Sequence, residues 1–470
     1  MPAVVARTRF VRAVEFNPGT TVVHHAVMRI DRTGTSRRLD AEDSEPGFDG
    51  MVAADVQDPD GHFIGWAPGR GPIVAPDRMP WRLDAGADLV VELHLMPGSA
   101  PMEVRPTVAL YFTDTPPSEH PVMLIMGSKS IDIAPGNADY WIEDRYQLPV
   151  PVDVLSVYPH AHYLGRQMLV QANLPNATVR TLLRISQWNF GWQQDYRFTT
   201  PVSLPQGTTI VMRYSYDNSD GNRANPHRPL RRVTWGPQSS DEMGTLGLQV
   251  LPRSAADGAQ LVASFARHAA EADVAGAEVL LRVDPDNAGN ETLVGSSYVR
   301  VGRYAEAISH LERALHLDPR SATAENFLGG ALLVTGRASE AVAHFRRATE
   351  LAPRDAHLRF NLARAHEAQG DTGRAIQALR DAVRIDPNVA EAQQQLGVLL
   401  FERNEVVEAI THLTEAARLA PSSAVAHAAL GGALAQAGRV SDARSHLQQA
   451  LALDPSNAAA LENLHRLERR

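Results

Sequence analysis

Residues 304–337 read YAEAISHLERALHLDPRSATAENFLGGALLVTGR, and the same pattern returns at intervals of 34 residues towards the C-terminus. The alanines carry the register: Ala307, Ala341, Ala375, Ala409 and Ala443 stand 34 apart, as do Ala314, Ala348, Ala382, Ala416 and Ala450. Gly302, Gly336, Gly370 and Gly438 repeat in step, with Asn404 filling the gap. Both residue types accept the left-handed backbone that closes a helix. Pro285, Pro319, Pro353, Pro387, Pro421 and Pro455 mark the unit ends. Leu-Gly pairs recur at 328–329, 396–397 and 430–431. Small alanines let two helices approach, glycine or asparagine ends the first helix, and proline stops the second.

A period of this length with these positions is the signature of tetratricopeptide repeats. Residues 288–457 resemble that family over about five repeats. Residues 253–287 are expected to hold a linker and a degenerate leading repeat that keeps only Pro285. Residues 458–470 are expected to form a polar capping helix. Stacked repeats of this kind make an all-α superhelix with a concave groove, so a protein or peptide partner is expected there. Some family members clamp a carboxylate with groove lysines. The one lysine here, Lys129, lies outside the repeats, which leaves arginines such as Arg364 as the cations on offer.

Composition changes near residue 252. All six Trp and all eleven Met lie at or before residue 243, and the first 252 residues hold 25 of the 31 prolines. The 470-residue chain carries 45 basic and 54 acidic side chains, a net charge of −9, with no Lys/Arg-rich run. Those values point away from a nucleic-acid binder. No stretch approaches the ~18 apolar residues of a membrane span. There is no cysteine, so disulfides, thiol nucleophiles, iron–sulfur clusters and thiolate metal sites are excluded. The start, MPAVVARTRF, lacks the apolar core of a signal peptide.

Residues 1–252 read as all-β. Runs such as 20–30, 87–96, 107–113, 152–164 and 208–219 alternate or are rich in Val, Ile and aromatics, and Pro, Gly, Asn and Asp clusters separate them. The expected architecture is two jelly-roll-like β-sandwiches, 1–116 and 117–252, with TDTPPSEHP at 113–121 as the joint. Eight histidines lie in this half. His160 and His162 are two apart, so in a strand both rings project from one face and can reach one metal. His24 and His25 are adjacent, and a regular strand would part them unless a bulge intervenes. His94 shares a face with Val90 and Glu92. Met243 follows the acidic pair Asp241 and Glu242, which are placed to orient its loop. His62, His120 and His227 read as turn, joint and loop residues, and WNFGW at 188–192 reads as core.

The order HH, strand His, HxH, DEM resembles the copper type II, ascorbate-dependent monooxygenases, the peptidylglycine α-hydroxylating and dopamine β-monooxygenase family. HAHYLGR at 160–166 and DEM at 241–243 are the most specific matches, and bacterial proteins that join this module to tetratricopeptide repeats are the nearest parallel. The resemblance implies two copper ions. One would be held by His24, His25 and His94, the other by His160, His162 and Met243, with ascorbate or another reductant as co-substrate. It implies hydroxylation of a substrate C–H bond by dioxygen at the Met-containing copper, making His160, His162 and Met243 the catalytic set. Independently of the family, imidazole suits both copper oxidation states and thioether sulfur favours Cu(I).

Three departures bear on the substrate. Tyr158 stands where peptide-processing members have a substrate-anchoring arginine. Thr245 and Gly247 stand where they have asparagine and tyrosine. The family disulfides cannot form. A glycine-extended peptide is therefore not the expected substrate. His24 also lies close to the start, where the family has further strands, so the first sandwich is expected to be reduced or the chain to lack an upstream segment, which would leave the compartment open. The alternative function is a tetratricopeptide interaction scaffold whose β-half is inactive or sequesters copper. A third is a single-copper protein using the second sandwich alone.

Overall fold

The computed structural model describes residues 5, 7–32, 34–42, 47–48, 56–95, 102–421 and 423–469. Met96, which ends the 87–96 run, lies outside them, as do the first four residues and Arg470. The chain forms two compact units, residues 1–282 and 283–470.

In the first unit, the described residues of 9–113 build two antiparallel sheets of four strands. One centres on Arg9–Asn17, paired with Thr107–Thr113 on one side and with Ile73–Val74 and Trp81–Leu83 on the other. The other centres on Val23–Asp31, flanked by Asp88–Leu95 and by Val56–Gln57 and Ile64–Trp66. Inward side chains of both sheets share one core, including Val11, Val14, Met28, Ile30, Ile64 and Trp81. Alternation produces this packing: one face of each strand is apolar and the sheets close on each other.

Residues 122–252 repeat the plan with longer strands. Tyr140–Gln147, Thr209–Tyr216, Gly165–Asn173 and Val179–Ile185 form one sheet in that order. Tyr196–Leu204, Val152–Ala161, Gly244–Pro252 and Val122–Gly127 form the other. Their common core includes Met126, Val157, Met168, Tyr214, Tyr216 and Leu248.

The segment expected as linker and degenerate repeat is instead a single helix, Ala255–Val283. Its apolar positions match a β-sheet, not a partner helix. Leu261 is fully buried in the second sandwich's core, with Phe265 packed against that core. Phe265 meets Tyr146 edge-on at 5.0 Å, and His268 and Lys129 make ion pairs at 3.0 and 2.5 Å with Asp144 and Asp273. At Gly276 a Cβ would stand 2.3 Å from that of Lys129, so only glycine permits this approach.

The second unit is an all-α array. Five helix pairs run from Ala288–Arg300 with Tyr304–Leu317 to Ala424–Gln436 with Val440–Leu453, and the helix Ala458–Glu468 follows. All ten register alanines are at most 1% exposed. Asn404 adopts φ +63, close to the +76 to +80 of the glycines at its register position. Asn287, Ser321, Asp355, Ser423 and Asn457 cap the helices they precede through side-chain oxygens. A polar tie also joins the two helices of four repeats. Glu291–His310 and Glu325–His344 meet at 2.6 Å, Gln393–His412 at 2.7 Å and His427–His446 at 3.0 Å. The third repeat has Arg359 and Ala378 at those positions.

Candidate metal centre

The strand Val23–Asp31 shifts register between Val23 and His25, a bulge at His24. That irregularity turns both rings to the same side: the Nδ1 atoms of His24 and His25 lie 2.7 Å apart. His25 is in register with His94 on the neighbouring strand, and their rings stack with centroids 3.8 Å apart. His94 Nε2 donates to Glu92 Oε1 at 3.0 Å, and Glu92 also pairs with Arg29. The face shared by His94 and Glu92, read from strand alternation, thus places a carboxylate behind the ring.

In the second sandwich His160 is the penultimate residue of Val152–Ala161, and His162 follows the strand end. Their ring centroids are 5.2 Å apart. His160 and Ala161 pair with Thr245 and Gly244, which sets Met243 one residue beyond the paired region, across from His162. Glu242 fastens this junction. Its fully buried carboxylate accepts from the backbone N–H groups of His162, of Met243 at 2.9 Å and of Leu164 at 2.8 Å. Tyr216 Oη donates to the Met243 carbonyl at 3.0 Å. Gly244 permits this contact, since a Cβ there would fall 2.3 Å from that same oxygen.

The aromatic segment 188–192 is core only in part: Trp188 packs against the second sandwich's core, whereas Trp192 is 58% exposed and Phe190 lies over the histidines. Phe190 stacks on His24 at 4.6 Å, meets His162 edge-on at 5.8 Å and touches Tyr163 at 4.4 Å. Trp188 Nε1 donates to the His162 carbonyl at 3.1 Å. Gln193 Oε1 accepts from His160 Nδ1, while its Nε2 donates to the Phe190 carbonyl at 3.0 Å. His162 Nδ1 donates to the Asp241 carbonyl at 3.2 Å. Phe190 and Gln193 carry no motif; only their neighbourhood in the fold reveals them.

The other histidines occupy separate turns. His62 is buried with Nδ1 at 3.1 Å from the Pro59 and Asp60 carbonyls, His120 is exposed, and His227 Nε2 donates to the Ser240 carbonyl at 2.6 Å. Tyr158 packs at a tilt against Phe63 with ring centroids 4.2 Å apart, and burial raises its hydroxyl pKa.

Burial sets the protonation of the cluster. Desolvation, then the neighbouring His94, pulls His25 down to about 2. Desolvation, then His162, pulls His160 down to about 3. Burial also lowers His24 and His162. These imidazoles are therefore neutral at physiological pH, the form that ligates metals. His94, His160 and His162 each have one ring nitrogen held by an oxygen, the arrangement that fixes a ligating tautomer. Glu242 moves the other way: burial outweighs its three N–H donors and raises it to about 8. Among the described residues, no three His, Asp or Glu side chains surround a point that could hold an ion as they stand. His24, His25, His160 and His162 have the chemistry and protonation of metal ligands, without a three-donor convergence as placed.

Comparison with known proteins concerns the second unit. Tetratricopeptide-repeat family models match residues 295–356, 336–390, 360–424 and 400–467. No curated protein sequence matches the chain. Among solved structures, YrrB, described as a TPR protein with an unusual peptide-binding site, is 22% identical over 40% of this chain and 96% of its own, with a TM-score of 0.35. MamA is 22% identical over 35% and 96%, with a TM-score of 0.33, and Pseudomonas aeruginosa PilF is 20% identical over 42% and 89%, with a TM-score of 0.39. Residues 295–467 of this chain are tetratricopeptide repeats.

Proposed function

We propose that the chain couples a partner-binding tetratricopeptide array to a β-unit that binds copper through its histidines. The observation that carries the copper reading is the gathering of five imidazoles, His24, His25, His94, His160 and His162, from strands distant in sequence, with burial holding His24, His25, His160 and His162 neutral. His24, His25 and His94 would hold one ion. His160 and His162, with Met243, would hold the other. Bound copper supplies one-electron redox chemistry, and the Met243 thioether favours its reduced state. The chain's own residues do the rest. Glu92, Gln193 and the Asp241 carbonyl fix ring tautomers, Glu242 ties the Met243 loop to the His160–His162 strand, and Phe190 screens His24 and His162 from water.

A second reading, a copper- and reductant-dependent monooxygenase acting on a C–H bond, is favoured by the Glu242 junction. Three backbone bonds to one buried carboxylate hold the Met243 loop and the HxH strand as one piece, as a site of mixed nitrogen and sulfur donors requires. Copper loaded into the purified chain and counted after desalting tests the first reading: retention of about two ions per chain is expected, and none would overturn it. Ascorbate-dependent oxygen consumption that disappears in Met243→Ala is the result expected of the second. Consumption unchanged in that variant would leave an interaction scaffold that sequesters copper.

A further inference from the structure

We propose that the helix Ala255–Val283 is held on the second sandwich by a proton-dependent latch, the pair His268–Asp144, and that its hold weakens as pH rises above neutrality. Neither partner belongs to the histidine cluster, and the latch requires no metal. The helix residues that pack on the sandwich core, Leu261 and Phe265, lie near its start. Further along, Ala269 and Ala272 are too short to fill the space above the sheet. A cavity of about 220 Å³ remains between them and Ile125, Gly127 and Thr245. Two ion pairs join the helix to the sandwich there. His268 Nε2 meets Asp144 Oδ1 at 3.0 Å, and Lys129 Nζ, 5.0 Å from the Trp235 ring, meets Asp273 at 2.5 Å.

Of these cations, the imidazolium is the one whose charge changes near neutral pH. Asp144 is 10% exposed, and its other carboxylate oxygen accepts the Gly127 N–H at 2.9 Å, which fixes it in place. That carboxylate raises the His268 pKa above the ordinary 6.5, against the opposing effect of burial. Glu271, on the same helix, also favours the cation. The other titratable groups facing the ring are Tyr146, with centroids 5.2 Å apart, and Lys129 and Asp273 across the cavity; Arg267 lies by the Tyr146 hydroxyl. Burial raises that hydroxyl, so it stays neutral as His268 titrates. A raised pKa gives a contribution that is complete below 6.5 and is lost as pH climbs through the raised value. Loss of the proton leaves the Asp144 carboxylate without its cation, and docking then leans on Leu261 and Phe265. The first repeat helix begins at Ala288, so the chain runs from the β-unit into the array through this latched segment.

Hydrogen–deuterium exchange of the full chain, corrected for the intrinsic rate at each pH, tests the latch. Between about pH 6 and about pH 8.5, peptides from 255–275 are expected to exchange roughly three- to tenfold faster, because a helix that loses its support is marginal in water. Peptides from the strand Thr209–Tyr216, within the sandwich, are expected to keep their rates. His268→Gln is expected to abolish the step and exchange quickly at both pH values. Asp144→Asn, which keeps an acceptor for the Gly127 N–H, is expected to do the same. Absence of the step in the unmodified chain would overturn the proposal, whatever the variants do. A step that survives His268→Gln assigns the proton to another group, and a step shared equally by Thr209–Tyr216 reports unfolding of the whole sandwich; either result overturns the latch.

Discussion

The two units of this chain satisfy their buried polar groups over different lengths of sequence. In the array the recurring tie joins residues 19 apart, as in Glu291–His310, and recurs at the same register in four repeats. In the β-unit the Glu242 carboxylate meets the His162 amide across 80 residues, and the His25–His160 approach spans two sandwiches. Stability in a repeat array is a sum of local terms. The histidine cluster instead depends on many non-local pairings being correct at once. The lesson is that damage in the array should be graded and damage at the β-unit's junction should be abrupt.

The largest effect should come from Glu242→Ala. It leaves three buried N–H groups, those of His162, Leu164 and Met243, without their acceptor. A loss of about 3–5 kcal/mol is expected from the β-unit. Calorimetry should show the β-unit transition falling steeply while the helical transition keeps its midpoint. Movement of both transitions together would break the comparison.

Acidification should come next. Burial holds His24, His25, His160 and His162 below the ordinary 6.5. The unfolded chain therefore takes up their protons first, so their contribution is present above pH 6.5 and is lost as pH falls below it. Glu242, raised to about 8 from 4.5, has the opposite sign: its contribution is present below 4.5 and fades as pH rises towards 8. Four groups against one make the β-unit weaken as pH drops below 6.5, read as a falling thermal midpoint. A midpoint that rises over that range would contradict the assigned burial.

The smallest effect should lie in the array. At Gly397 a Cβ would stand 2.6 Å from Leu413 Cγ, whereas at Gly329 it would stand 3.0 Å from the Phe345 ring, and Ala363 already occupies the matching place in the third repeat. Gly397→Ala is expected to cost about 1–3 kcal/mol and Gly329→Ala less than about 1 kcal/mol. Urea midpoints of the helical signal rank the two, and equal costs would remove the case for a graded response.

Legibility followed the same division. The period of alanine, glycine and proline displayed the helix pairs directly, because each contact that matters there lies within a unit or its neighbour. In the β-unit the strand alternation placed His94 with Glu92, and the adjacent His24 and His25 demanded the bulge that is present. Strand patterns carry no information about which loop reaches over which edge. Phe190, Gln193 and the meeting of the two histidine sets were therefore hidden, and an aromatic-rich loop read as core. The helix Ala255–Val283 was misread for a related reason. Its terminal proline kept the repeat register while its apolar face was matched to a sheet.

The pairing of Lys129 with Asp273, on the helix that covers the second sandwich, has a practical side. It is the single lysine in 470 residues. Amine-directed labelling therefore has one side-chain target, set where that helix meets the strand region beneath it. A fluorophore or cross-linker placed there reports on one joint of the molecule and leaves the repeat array chemically silent.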